Sequence, residues 1–134
     1  MIFGGASEDT QAVIEFVKPV MGADCRYWQT DATTAELVKY MENSWGAMKV
    51  TFCNEFYEIA RAHGVDYNEL RELFLLDGRT ERMHTVVFEK KRGYGGKCFP
   101  KDVKAIIRSS EEHGYIPALL KEVDMTNDKF NAKN

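Results

Sequence analysis

Leu37, Met41, Trp45, Met48, Phe52, Phe56 and Ile59 recur at steps of four, four, three, four, four and three residues, a stripe that limits what this chain folds into more than any other feature. The period is that of an α-helix with one apolar face, sustained for about seven turns. Thr33-x-x-Glu36 has the form of a capping box at its start, and His63-Gly64 places a glycine just past its end. A helix of about 30 residues is ~45 Å long at 1.5 Å per residue. The remainder of a 134-residue chain is too short to cover that length. The stripe therefore predicts a partner subunit or domain packed along residues 33–63.

The elements around the stripe are shorter. Met1–Gly5 reads as a strand entering a glycine turn, and Ser7-Glu8-Asp9 offers capping chemistry for an amphipathic helix that stops near Pro19. Residues 24–29 read as a second strand. One β-α-β piece is too small to bury both faces of a sheet. After the long helix, Asp66-x-x-Glu69 opens a helix to about Leu75, closed at Asp77-Gly78. Residues 79–92 are polar around Val86-Val87-Phe88. Pro100 starts a helix that closes at His113-Gly114, and a last helix over 117–131 fades into a polar tail, Asn127–Asn134. The fold class is mainly α, with the boundary between a small β-α-β piece (1–30) and a helical domain (31–134).

Composition excludes several classes. A net charge of −3 gives no electrostatic footprint for nucleic acid, and no apolar run is long enough to span a bilayer. The first residues lack a secretory leader's basic and apolar regions. Cys25, Cys53 and Cys98 are odd in number and widely spaced, which argues against a disulfide framework or a metal site and for a reducing, cytoplasmic setting.

The chemistry concentrates in Gly93-Tyr94-Gly95-Gly96-Lys97-Cys98-Phe99-Pro100-Lys101-Asp102. Three glycines permit positive φ and close backbone approach. They lead into a helix N-terminus, whose free N–H groups and dipole favour an anion. A cysteine there, between Lys97 and Lys101, sits where thiolate is favoured, and Asp102 follows one helical turn later. A glycine turn carrying an inert cysteine has the same local pattern. The loop is not a dinucleotide fingerprint, because the third glycine position falls on Cys98. Lys39 and Asn43 are spaced i, i+4 on the long helix, one face offset from the apolar stripe, where they suit either oxyanion and water binding or plain solvated surface.

Together these stretches resemble the UDP-glucose/GDP-mannose dehydrogenase family. The resemblance is carried by Ala35–Asn43, Lys49-Val-Thr-Phe-Cys-Asn-Glu55, Gly93–Asp102 and Val123-Asp-Met-Thr-Asn-Asp128, in the family's order over about residues 31–128. It implies an oxidoreductase that takes the C6 alcohol of a nucleotide sugar to a carboxylate with NAD, and that contributes to polysaccharide biosynthesis. On matching positions, Cys98 is implied as the nucleophile, passing through a thiohemiacetal and a thioester, and Lys39 as the oxyanion stabiliser. Asn43 and Asp102 are implied to handle the hydrolytic water, and Tyr94, Gly95 and Gly96 to line the sugar pocket. Arg79 is implied to reach a neighbouring subunit's nucleotide sugar, and the long helix 33–63 to make a homodimer. Phe99–Asp102 favours UDP-glucose. Lys97 departs from the pattern, since the family carries a small residue there. The expectation is a fragment, the central domain preceded by the edge of an NAD-binding domain, with the NAD site outside this chain and no activity alone. The competing expectation is a non-catalytic dimerisation or regulatory module of the same descent.

Overall fold

The computed structural model describes residues 1–22 and 24–133. The chain divides into two compact units, Met1–Glu42 and Asn43–Asn134. The chain order is β1 (Ile2–Gly4), α1 (Ser7–Met21), β2 (Trp28–Thr30), α2 (Ala32–Ala62), α3 (Tyr67–Phe74), α4 (Phe99–Glu112) and α5 (Ala118–Asn131). The fold is thus mainly α, with one two-stranded parallel sheet. Among the described residues, no helix is long and apolar enough to cross a membrane.

In the first unit, β1 and β2 pair Ile2 with Trp28, Phe3 with Gln29 and Gly4 with Thr30. The second strand lies later than residues 24–29, because β1 begins at Ile2 and so only Trp28 onward has a partner. Gly4 is required where the sheet meets the start of α2: a Cβ there would stand 2.4 Å from that of Ala35. Two expectations for α1 are corrected. Its N-cap is Ala6, with no side-chain cap, and the Thr10 hydroxyl instead donates back to the Ala6 and Ser7 carbonyls at 3.1 and 3.0 Å. Pro19 does not stop it, since the Gly22 N–H still closes the last turn on the Lys18 carbonyl at 3.0 Å.

The long helix spans Ala32–Ala62 as a single element. Its cap is not the Thr33/Glu36 box. Asp31 accepts the Thr34 N–H at 2.9 Å and the Thr34 hydroxyl at 2.6 Å, which starts the helix one residue earlier and leaves Glu36 beside Lys39. At the other end Gly64 has φ +71°, with its N–H on the Arg61 carbonyl and the Val65 N–H on the Ala60 carbonyl. That is the Schellman arrangement expected of His63-Gly64. The α3 cap is as its sequence predicts, with Asp66 accepting the Glu69 N–H at 2.9 Å.

In the second unit, two small cores form. Ala47, Tyr94, Val103 and Val123 join α2, the glycine loop, α4 and α5. Cys53, Ala60 and Tyr67 join α2 to α3. Residues 75–98 carry no helix or strand, and their fixed point is Thr85: its carbonyl accepts from the Tyr67 hydroxyl at 2.8 Å and its hydroxyl from Arg71 Nε at 2.9 Å. Along α2 the apolar stripe stays bare, with Leu37 and Met41 exposed in the first unit and Trp45, Phe52, Phe56 and Ile59 exposed in the second.

Candidate functional site

Cys98 is the N-cap residue of α4, exposed, with Pro100 in the first helical turn. Its carbonyl accepts the Asp102 N–H at 2.9 Å, the first bond of the helix. The thiol therefore stands at the positive end of α4, where a developing anion is favoured. The glycines before it reach this place because Gly93 and Gly96 adopt φ +73° and +80°.

One helical turn beyond the cysteine, buried Asp102 meets half-buried Asn43. Asp102 is 1% exposed, and its Oδ2 accepts from Asn43 Nδ2 at 2.5 Å while Oδ1 accepts from Lys101 Nζ at 2.5 Å. The structure thus joins Asn43 to Asp102 across 59 residues of sequence. With one donor committed to the carboxylate, the Asn43 amide still has its carbonyl oxygen and a second N–H to offer a water. Lys39 lies one helical turn before Asn43 on α2, in the first unit. Its ammonium is 3.5 Å from Glu36 Oε2, over the Tyr40 ring, and it lines an open pocket of ≈560 Å³ with Met1, Ile2, Gly4 and Glu42.

The residues expected to line a sugar pocket divide. Gly95 and Gly96 are exposed, with nothing near the place of a Cβ. The Tyr94 ring is 3% exposed within the core, and its hydroxyl donates to Asp124 Oδ1 at 3.1 Å. Burial, and then the Asp124 charge, push that phenol well above its ordinary value. Arg79 is open to solvent and pairs with Asp77. It borders a pocket of ≈460 Å³ formed with Trp45, Met48, Phe52, Phe74 and Thr85.

The site also rests on residues whose roles the sequence does not signal. Gly46 on α2 is where the Phe99 ring sits, since a Cβ there would be 2.6 Å from the ring's Cζ. His84, at φ +66°, meets that ring edge-on at 5.2 Å. Arg92 is 4% exposed, between the Tyr57 and Phe130 rings, and donates to Asn54 and Glu58. Lys133 first, and Arg92 as well, hold Glu58 below the usual carboxylate range. Asn127 and Asn131, expected where the last helix fades into a polar tail, lie within α5, and both donate to the Tyr94 carbonyl. Asn134, the last residue of that tail, lies outside the described residues.

The backbone at the start of the glycine loop is closely covered. At Gly93 the space beside the backbone is taken by Asn127 Oδ1, 2.6 Å from the place of a Cβ, and by Asn131 Oδ1 at 2.9 Å. Among the described residues, no group of three or more His, Cys, Asp or Glu is arranged to hold a metal ion.

Comparisons with known proteins agree with one another. The central domain of the UDP-glucose/GDP-mannose dehydrogenase family matches residues 33–129. A UDP-glucose 6-dehydrogenase of Pseudomonas aeruginosa is 40% identical over 93 residues, covering 69% of this chain and 20% of that protein. One from Bacillus subtilis is 31% identical over 133 residues, covering 96% of this chain and 27% of the relative. A solved UDP-glucose dehydrogenase from Pyrobaculum islandicum superposes with a TM-score of 0.81 at 33% identity, over 96% of this chain and 28% of that one. The chain therefore spans between a fifth and a third of the length of these relatives.

Proposed function

From the premise that this chain belongs to the UDP-glucose/GDP-mannose dehydrogenase family, we propose that it is the central part of an NAD-dependent nucleotide-sugar 6-dehydrogenase, with UDP-glucose as substrate and UDP-glucuronate as product. In this reading residues 1–30 are the edge of an N-terminal NAD-binding domain and residues 31–134 the helical domain that carries the cysteine. The setting is cytoplasmic. The observation that carries the reading is the hydrogen bond from half-buried Asn43 to buried Asp102, one helical turn from an exposed cysteine at a helix N-terminus.

The chemistry assigned to these residues is covalent capture followed by hydrolysis. The Cys98 thiolate adds to the C6 aldehyde, forming an S–C bond while the carbonyl electron pair moves to oxygen. That oxyanion forms beside the α4 N-terminus, and Lys39 is assigned to neutralise it. Covalent capture keeps the aldehyde from escaping between oxidations. Oxidation of the adduct gives a thioester, and a water held by Asn43 and Asp102 adds to its carbonyl carbon and releases the thiol. Exposed Gly95 and Gly96 give the sugar a floor without side chains, Tyr94 holds that floor in place, and Arg79 is assigned to a nucleotide sugar on the partner subunit. NAD, the family's hydride acceptor, is assigned to a site outside this chain, because the glycine loop does not have the spacing of a dinucleotide fingerprint.

In the complete enzyme, Cys98→Ala is expected to abolish acid formation while the fold survives. Acid formation at the parent rate would remove Cys98 from the mechanism. The 134-residue chain mixed with NAD and UDP-glucose is expected to give no sustained NADH, and turnover there would show that the cofactor site lies within it. The second reading, a non-catalytic dimerisation or regulatory module, is favoured by the bare apolar face of α2. A chain that binds a full-length relative and whose Cys98 resists thiol reagents at neutral pH would support it over the enzyme.

A further inference from the structure

The loop that presents Cys98 is fastened at its start by side-chain amides from two helices, Asn54 on α2 and Asn127 on α5, with Asn131 of α5 also donating to the Tyr94 carbonyl at 3.3 Å. Asn54 on α2 is 2% exposed, and its Oδ1 accepts the Gly93 N–H at 3.2 Å and Arg92 Nε at 2.7 Å. Its Nδ2 donates to the Val50 carbonyl at 2.9 Å, which fixes the amide's orientation. Asn127 on α5 is also 2% exposed. Its Oδ1 accepts the Tyr94 N–H at 2.6 Å and its Nδ2 donates to the Tyr94 carbonyl at 3.1 Å, so one side chain satisfies both polar groups of one residue's backbone. No other side chain of that length presents a donor and an acceptor in this way.

Past this clasp the loop has little else. Gly95 and Gly96 have open space where a Cβ would be, and residues 95–98 are exposed. The next fixed point is the first turn of α4, where the Asp102 N–H binds the Cys98 carbonyl. We propose that Asn54 and Asn127 are positioning residues that clasp the backbone of Gly93 and Tyr94 and thereby set where Cys98 is presented. The proposal rests on the reading of Cys98 as the nucleophile. It adds that α5, through Asn127, governs the thiol's placement. Opening the clasp frees the glycines and frays the N-terminus of α4 without unfolding the rest, the ordinary behaviour of a weakly packed segment.

The test uses the 134-residue chain with Asn127→Leu, Asn127→Asp and Asn54→Asp. Tyr67→Phe is the control, which loses a buried hydroxyl bond to the Thr85 carbonyl in the other core. Three quantities are measured: amide exchange at Gly95–Lys97, alkylation of Cys98 by iodoacetamide resolved by peptide mass spectrometry from Cys25 and Cys53, and the denaturation midpoint. Asn127→Leu is expected to speed loop exchange on the order of tenfold and to change the Cys98 alkylation rate several-fold. Asn127→Asp, which keeps the acceptor and loses the donor, is expected to fall between, and the control to change neither. Should Asn127→Leu fail to fold, the two Asp variants carry the comparison. Asn variants that lose stability as the control does, with loop exchange and alkylation unchanged, would overturn the proposal. These readouts need no turnover, so failure of the nucleophile reading shows separately, as acid formation that survives Cys98→Ala.

Discussion

At the scale of single residues, the site separates stability from chemistry. Cys98 is exposed, and its removal should change unfolding free energy by no more than ~0.5 kcal/mol. Asp102 is buried and accepts from both Asn43 and Lys101. Asp102→Ala strands the Asn43 amide beside a small cavity and should cost about 2 kcal/mol, measured by urea denaturation, much of the Lys101 contribution being screened by solvent. Equal losses for the two variants would show that Asp102 is not the buried anchor described. The contrast follows what was legible. Cys98, Pro100 and Asp102 lie within one turn, and helix-terminus physics alone singles them out. The partnership of Asn43 with Asp102 spans 59 residues and leaves no local pattern, so only the family resemblance pointed to it. Asn127 falls where the last helix meets a polar tail, and its burial leaves no mark because a buried asparagine and a solvated one look alike in sequence until the backbone it pairs with is in place.

At the scale of elements, α2 was visible almost in full, because periodicity and a terminal glycine are properties of the helix itself. Its start was misread by competition between caps: Asp31 takes both the N–H and the hydroxyl of Thr34. Asp31→Ala should cost about 1 kcal/mol of stability in the same denaturation assay, whereas Thr33→Ala should be near neutral, and the reverse order would restore the capping box. The exposed face of α2 carries the proposed homodimer. Trp45→Glu with Phe52→Glu should shift the chain to monomer in light scattering, because each places a charge on an apolar contact surface. A parent chain that is monomeric at high concentration would end that proposal. The irregular segment 75–98 was least legible, since its conformation comes from Thr85, Arg92 and His84, each fixed by partners far along the chain.

Over the whole molecule, the ionisable groups set a pH window. Asp31 is held below the usual carboxylate range by the Thr34 hydroxyl, Glu58 by Lys133, Glu72 by Arg82 and Asp77 by Arg79. A carboxylate depressed on folding adds stability that is fully present above its unfolded value, about 4, and is lost as pH falls through the folded one. At the other end, burial holds the Tyr67 and Tyr94 phenols well above their ordinary value. Their contribution is full below the unfolded value of about 10 and declines above it, where only the unfolded chain ionises readily. Burial also raises the Cys53 thiol, whose unfolded value is about 8.5, so stability should be flat between about pH 5 and 8 and fall on both sides. Tyr67→Phe should make the alkaline decline shallower, followed by circular dichroism together with tyrosinate absorbance. An alkaline limb that is unchanged in that variant would exclude Tyr67 as its source.

The two-stranded sheet has a consequence for handling the chain. Among the described residues the sheet consists of β1 and β2, so each has an open edge, and Ile2, Phe3, Trp28, Gln29 and Thr30 include no charged residue or proline to discourage a third strand. Phe16 and Val20, both more than four-fifths exposed on α1, add sticky surface nearby in the same unit. Concentrated samples should accordingly self-associate through this end, and a short peptide of matching strand character, or a lysine at position 3, is the remedy to try first for solubility.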